Sequence, residues 1–194
     1  MKSFQRRTRS ERGFSLLEMM VVLAITAIVG GMATASLITA RRAYEGDGAM
    51  RLVMAQFNEA REMSITQRRL MELQMIGGNW VRIVRHETDG ITTTVLASVA
   101  LESNAQFLLA PNVPDTPDGF GALSPVAFGQ AAQILFNTDG TLIDQNGLTL
   151  NGTVFLAISG EPEATRAVTV LGATGRVRGY RWIINGAVGT WVQV

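Results

Sequence analysis

Side chains able to perform acid–base or metal chemistry are few in this sequence and do not cluster. His86 is the only histidine and cysteine is absent, so the usual ligands of a transition-metal site are missing. We interpret His86 as a solvated hairpin residue. Asp139 and Asp144 faintly resemble a calcium loop, but they lack the EF-hand spacing, and Asp-Gly is a common turn. With no nucleophile elbow or phosphate-binding loop either, we expect no enzymatic activity, no metal and no cofactor.

The sequence Gly175-Arg176-Val177-Arg178 offers a different kind of chemistry, because it combines a turn with two permanent cations. Alternate residues of a strand share one face, so Arg176, Arg178 and Tyr180 are predicted to lie together. Two guanidinium groups can bridge phosphates, and an aromatic ring can stack on a base. The segment is therefore either a weak nucleic-acid site or a basic strand that pairs with an acidic neighbouring subunit.

One carboxylate, Glu18, stands at the start of a long uncharged segment. Residues 19–40 contain no charged side chain. At about 1.5 Å per residue they form a helix of roughly 33 Å, which is enough to cross a bilayer core. A carboxylate at the edge of such a segment is costly in lipid and indicates a functional residue with a partner.

The formal net charge of +1 conceals a strong segregation of charge. Residues 1–13 carry five basic side chains and one acidic one, so the remaining chain has a net charge of −3. Positive residues beside an apolar span stay in the cytoplasm, which places the rest of the chain across the membrane. A cleaved secretory signal has an apolar region shorter than residues 19–40, so it fits this sequence poorly. A plain signal anchor is the simplest alternative.

The sequence Arg12-Gly13-Phe14-Ser15-Leu16-Leu17-Glu18 resembles the processing site of type IV prepilins and type II secretion pseudopilins. The resemblance implies that a prepilin peptidase cuts between Gly13 and Phe14 and methylates the new amino terminus at Phe14. It also implies that Glu18 meets the cationic amino terminus of a neighbouring subunit, since a buried carboxylate is tolerated only when paired. The expected partners are the peptidase, other minor and major pilins or pseudopilins, and the inner membrane.

Beyond the apolar segment, the periodicity predicts that the helix continues over residues 41–67. Apolar and small residues recur there at intervals of three and four along one helix face: Met50, Val53, Met54, Phe57, Ala60 and Ser64. We expect this stripe to pack on a sheet. Gly46 and Gly48 each cost the helix up to about 1 kcal/mol relative to alanine, so a bend or local melting is expected there.

From residue 70 onward the pattern changes to short strands and turns. Composition and alternation predict strands at 70–76, 80–84, 91–99, 106–110, 133–137, 153–159, 167–171, 176–183 and 190–194. A proline-rich segment, residues 111–125, forms a long loop between them. The predicted fold is α+β, with one long amino-terminal helix packed on antiparallel sheets. Its parts are a leader (1–13), the transmembrane half of the helix (14–40), its amphipathic half (41–69) and a periplasmic β-rich domain (70–194).

The carboxy-terminal half of the chain indicates which group of pilin-like proteins the sequence resembles. Residues 134–140 and 166–178 resemble the strand, glycine turn and Gly-Arg-x-Arg pattern of the GspH/FimT family, which comprises minor pseudopilins of type II secretion and minor pilins of type IV pili. The resemblance implies a pilin-like fold and a filament-tip subunit of a type II secretion system. The alternative is a type IV minor pilin that captures double-stranded DNA. Its DNA site would comprise Gly175, Arg176, Arg178 and Tyr180, widened by Arg166 and Arg181. Phosphate binding scales with the number of cations engaged, so the acidic mature chain is expected to bind DNA weakly.

Overall fold

The computed structural model describes residues 14–185 and 188–194, so the predicted leader and Gly13 lie outside the described residues. The chain divides into two compact units. The first ends at Thr39 and the second is Ala40–Val194. One helix, α1 (Leu16–Gln67), contributes residues to both units.

Helix α1 begins and ends with capping groups from its own sequence. Ser15 precedes the helix, and its Oγ accepts a hydrogen bond from the Glu18 backbone N–H at 3.2 Å, which satisfies one of the free donors of the first turn. At the other end, Arg68 adopts a left-handed φ of 51°. The Arg69 N–H then donates to the Ser64 carbonyl at 3.3 Å, the Schellman arrangement that closes a helix.

The predicted stripe of α1 is buried in the second unit. Five of its residues are at most 1% exposed, namely Met50, Val53, Phe57, Ala60 and Ser64, and Met54 packs against the same core. The expected local melting does not occur, because α1 is helical through Gly46 and Gly48. Gly46 has a packing role instead. A Cβ there would lie 2.6 Å from the Ala164 carbonyl oxygen.

Short strands follow the helix and form two antiparallel sheets. They are β1 (Met71–Ile76), β2 (Trp80–His86), β3 (Thr93–Ala100), β4 (Gln106–Phe107), β5 (Val126–Ala127), β6 (Leu135–Phe136), β7 (Leu142–Ile143), β8 (Gly152–Ile158), β9 (Glu161–Leu171), β10 (Arg176–Asn185) and β11 (Val188–Gln193). Sheet A has the order β3-β2-β1-β6-β7. Sheet B has the order β11-β10-β9-β8-β4, and β5 pairs with β8. The predicted α+β architecture is confirmed.

The strands differ from the prediction mainly in their bounds. The β1–β2 hairpin turns as predicted, with Gly77 and Gly78 both at positive φ. Strand β9 begins at Glu161 rather than at Ala167, because β8 and β9 form a hairpin that closes at Gly160, whose φ is 81°. The short strands β5 and β7 were not predicted, since two residues carry too little alternation to be recognised.

Two apolar layers lie on the two faces of sheet B. One face packs with the stripe of α1. In the same core, Phe57 stacks on Phe128 and meets Phe136 of sheet A edge-on. The other face carries Phe155, Ala167 and Tyr180, which pack with Leu109, Ala122 and Trp191. The proline-rich segment therefore covers the outer face of sheet B. It is fastened there by backbone contacts such as the Phe155 N–H to the Pro125 carbonyl at 2.7 Å.

Candidate functional site

The amino-terminal segment presents an apolar surface and one carboxylate. Among the described residues, Leu16–Ala33 is long and apolar enough to cross a membrane by length and composition, and none of it is buried. Phe14, just before it, is 77% exposed. Glu18 lies in the first turn of α1, and its carboxylate forms no ion pair within the part of the chain that the structure describes.

Gly175, in the turn between β9 and β10, is required by backbone conformation and by packing. Its φ of 64° is the left-handed region that favours glycine. A Cβ at this position would lie 2.3 Å from the Gly140 carbonyl oxygen and 2.6 Å from the Arg61 side chain. The Arg61 Nε also donates to the Gly140 carbonyl, at 3.2 Å. The glycine of the Gly-Arg-x-Arg pattern thus lets two turns and α1 pack together.

Asp118, from the proline-rich segment, holds two of the predicted DNA-binding side chains. One of its carboxylate oxygens pairs with the Arg178 guanidinium. The other accepts hydrogen bonds from the Tyr180 hydroxyl at 2.9 Å and from the Thr169 hydroxyl at 2.6 Å. The hydrogen bond with Tyr180 raises the pKa of Arg178, and burial raises the pKa of Tyr180. Both groups therefore keep their protons and are satisfied inside the domain.

Among the predicted nucleic-acid residues, Arg176 is exposed and makes no ion pair in the described part of the chain. The prediction that Tyr180 stacks on a base is wrong, because the residue is 2% exposed and packs with Phe155 and Ala167. Alternation along β10 does place Arg176, Arg178 and Tyr180 on one face, as predicted. That face is the one covered by the proline-rich segment.

The two arginines expected to widen the patch bind Asp47 of α1 instead. Arg166 is completely buried, and its Nε donates to Asp47 at 2.6 Å while its Nη2 donates to the Ala43 carbonyl at 2.8 Å. Burial lowers the pKa of Arg166, and the hydrogen bond to Asp47 opposes this shift. Arg181 pairs with the same carboxylate. The prediction that Arg166 contributes to a surface patch is therefore wrong.

The remaining titratable candidates have structural partners. His86 is not simply solvated, because the β1–β2 hairpin places its Nε2 2.8 Å from the Glu72 carboxylate. Asp139 and Asp144 cap two separate turns, accepting from the Thr141 N–H at 2.9 Å and the Leu148 N–H at 2.8 Å. Hydrogen bonds, to Thr141 and to the Leu148 N–H respectively, lower the pKa of both carboxylates. In the described residues no group of three or more His, Asp or Glu side chains is arranged to hold a metal ion.

Two central residues, Asp47 and Asp118, were not recognised in the sequence. Asp47 did carry a signal, since it lies three residues before Met50 on the buried face of α1, and a carboxylate on an apolar face requires a partner. Asp118 carried none. Its partners Thr169 and Arg178 are more than fifty residues away along the chain, and no local pattern connects them.

A profile of the prokaryotic N-terminal methylation motif matches residues 8–34. The match includes Gly13, Phe14 and Glu18, and in the structure its helix is followed by antiparallel sheets. Residues 8–34 therefore carry the prokaryotic N-terminal methylation motif, and this profile covers that part of the chain alone. The structure of the chain is similar to that of the type IV minor pilin FimU of Pseudomonas aeruginosa, with 16% sequence identity and a TM-score of 0.48 over 72% of this chain and 90% of FimU. No curated protein matches its sequence significantly.

Proposed function

We propose that this protein is pilin-like, namely a minor pseudopilin of a type II secretion system, cleaved after Gly13 and methylated at Phe14. The observation that carries the proposal is the methylation motif at residues 8–34, followed by a helical segment whose apolar side chains are unburied. Such a surface requires lipid before assembly and neighbouring helices afterwards. The leader stays cytoplasmic, the helix is anchored in the inner membrane, and the β-rich domain is periplasmic and later stands at a filament tip.

Glu18 has a specific role in this proposal. Its carboxylate, unpaired in the described structure, binds the methylated amino terminus of a neighbouring subunit when the helix enters the filament. A buried charge that loses its partner costs about 3–5 kcal/mol. The pairing therefore selects one register between adjacent helices.

Two substitutions test the proposal in cells with an active prepilin peptidase. Gly13→Ala should leave the precursor uncut, since the peptidase requires a residue with almost no side chain there. Glu18→Ala should be cleaved normally but enter filaments severalfold less, while Glu102→Ala, which removes an exposed carboxylate of the domain, should assemble normally. An intact amino terminus on the unaltered protein would instead favour a plain signal-anchored periplasmic domain.

Deleting the gene for this protein would show whether the subunit belongs to a type II secretion system or to a type IV pilus. A secretion pseudopilin predicts that exported proteins accumulate in the periplasm while surface pili persist. Loss of pili with normal secretion would assign the subunit to a type IV pilus.

DNA capture by a type IV minor pilin is the second candidate, and the exposed Arg176 is the observation in its favour. Opposing it, Arg178 is paired with Asp118, Tyr180 is buried, and the processed chain has a net charge of −3. We expect the full chain in detergent to bind no labelled double-stranded DNA even at low salt. Binding that weakens with salt and disappears in Arg176→Gln/Arg178→Gln would establish DNA uptake instead. The single variant Arg176→Gln keeps the ion pair between Arg178 and Asp118. It therefore separates a loss of DNA contact from the effect of leaving Asp118 without its arginine.

A further inference from the structure

An apolar groove opens on the outer face of sheet B, at the edge of the proline-rich segment. It encloses about 630 Å³ and is lined by Leu109, Pro111, Val113, Ile158, Trp182 and Ile184. Gly189 closes one side, where a Cβ would lie 1.9 Å from the Trp182 ring. The glycine therefore lets the indole of Trp182 pack closely against β11, where it lines the groove.

The side of this groove formed by β10 and β11 is apolar, whereas Glu161 of β9 lines another side. Ile184 and Val188 are 43% and 72% exposed, and residues 182–194 contain no charged side chain. β11 is also an edge strand of sheet B. Soluble proteins usually protect such an edge with charged residues or proline, so an exposed apolar rim indicates a binding surface.

The groove lies at the end of the domain where the second unit begins. Glu161, which lines it, pairs with Arg42 of α1, and Arg42 is two residues beyond the predicted transmembrane segment 14–40. The opposite end of the domain is marked by Gln67, which accepts a hydrogen bond from Arg85. Between Arg42 and Gln67, α1 spans about 37 Å at 1.5 Å per residue.

Charge near the groove is balanced rather than basic. Arg41 pairs with Glu45 at 2.9 Å, and Arg42 pairs with Glu161. A surface that combines a tryptophan, aliphatic side chains and the paired carboxylate of Glu161 matches the interfacial region of a phospholipid bilayer. A nucleic acid or a strongly acidic protein surface would require unpaired cations.

From these observations we propose that the groove and its rim, Ile184 and Val188, dock on the surface of the bilayer that holds the apolar segment. The inference rests on the proposed function, because it requires residues 14–40 to span that membrane. Docking holds the domain against the membrane before the subunit enters a filament. Because the contact is apolar, it is insensitive to salt and to the fraction of anionic lipid.

The absence of cysteine permits a direct test on the full chain in nanodiscs of zwitterionic phospholipid. Val188→Cys is labelled with a polarity-sensitive fluorophore, and spin-labelled lipid serves as the quencher. The matched control is Ile91→Cys, an apolar residue that is 88% exposed in the turn between β2 and β3, at the opposite end of the domain. We expect several-fold stronger quenching at position 188 than at 91, unchanged between low and high salt. Equal quenching at the two positions would overturn the proposal.

A third label separates failure of docking from failure of the proposed function. Leu23→Cys lies within the apolar stretch Leu16–Ala33 and should be quenched by deep spin labels. Quenching at 23 but not at 188 would overturn docking alone, whereas absence of quenching at 23 would also overturn the membrane span. If the label at 188 is shielded only when other pilin-like subunits are present, the surface binds protein and the lipid proposal is wrong.

Discussion

The carboxylate of Asp47 on α1 is the common partner of two arginines of sheet B. It serves two arginines, of which Arg166 has no exposed side-chain surface and Arg181 is 38% exposed. An ion pair with a completely buried member is costly to break, because the remaining charge keeps its desolvation penalty. An ion pair that remains partly in water contributes little. The two halves of this network should therefore differ strongly in their contribution to stability.

Asp47→Ala should lower the free energy of unfolding by about 3–5 kcal/mol, because it leaves Arg166 buried without a counter-charge. Arg181→Gln should lower it by at most about 1 kcal/mol. Urea unfolding of the full chain in detergent, followed by tryptophan fluorescence, measures both. Equal losses of unfolding free energy in the two variants would contradict the conclusion that the buried Arg166 depends on Asp47 as its counter-charge.

Tyr180 should make the domain sensitive to alkaline pH. Burial raises its pKa above the ordinary value of 10, so the stability it contributes is complete below pH 10 and is lost as the pH rises through the folded-state pKa. The melting temperature of the unaltered protein should therefore fall more steeply above pH 10 than that of Tyr180→Phe. Tyr44→Phe, which changes a tyrosine that is 74% exposed, serves as the control and should retain the steep fall.

At the scale of elements, the two glycines of α1 have opposite roles that their spacing alone does not distinguish. A Cβ on Gly46 would lie 2.6 Å from the Ala164 carbonyl oxygen, whereas nothing lies within 4 Å of one on Gly48. Gly46→Ala should destabilise the domain by about 1–3 kcal/mol through overpacking. Gly48→Ala should stabilise it by about 0.5–1 kcal/mol, because alanine costs less entropy in a helix. Thermal unfolding of both variants checks the pair, and a stabilising Gly46→Ala would refute the close contact with β9.

The sequence predicts elements well where a pattern is local and poorly where a contact is distant. The stripe of α1 and the glycine hairpin between β1 and β2 follow from spacing within one element, and both are present. The face of Arg176, Arg178 and Tyr180 was also predicted correctly from alternation. What covers that face was not, because the proline-rich segment lies some sixty residues earlier in the chain. Prolines exclude a central strand but do not indicate where the segment packs.

Asp118 should control how firmly the proline-rich segment is held on sheet B. Asp118→Ala leaves Arg178, Tyr180 and Thr169 without their common acceptor, at a cost of about 1–3 kcal/mol. We expect faster amide hydrogen exchange in residues 111–125 and little change in α1. Asp139→Ala removes an exposed turn carboxylate and should leave exchange in this segment unchanged. Protection that persists in Asp118→Ala would show that backbone contacts alone fasten the segment.

At the scale of the whole molecule, the chain consists of three consecutive segments that differ in charge. A basic segment, residues 1–13, precedes an uncharged apolar segment, and the domain that follows carries nine acidic side chains and no lysine or arginine between Arg85 and Arg166. This order is the one that the proposed function requires, with a cytoplasmic leader, a membrane-spanning helix and a solvent-exposed domain. The proposed cleavage would remove only the basic part and would therefore change the electrostatic character of the whole protein.

That change gives a prediction for the processed protein. The unprocessed sequence has a formal charge of +1 and an isoelectric point of about 8.3. Cleavage after Gly13 removes five basic residues and one acidic one, which leaves a charge of −3. The isoelectric point should therefore move from the basic to the acidic side of neutrality, which isoelectric focusing of membrane extracts resolves. Gly13→Ala should keep the basic position, and so should the unaltered protein in cells without the peptidase. If intact mass and focusing both show an uncut, basic chain in cells with the active peptidase, the protein remains a signal-anchored domain, because a subunit that keeps its leader has no free amino terminus at Phe14 to pair with Glu18 of its neighbour.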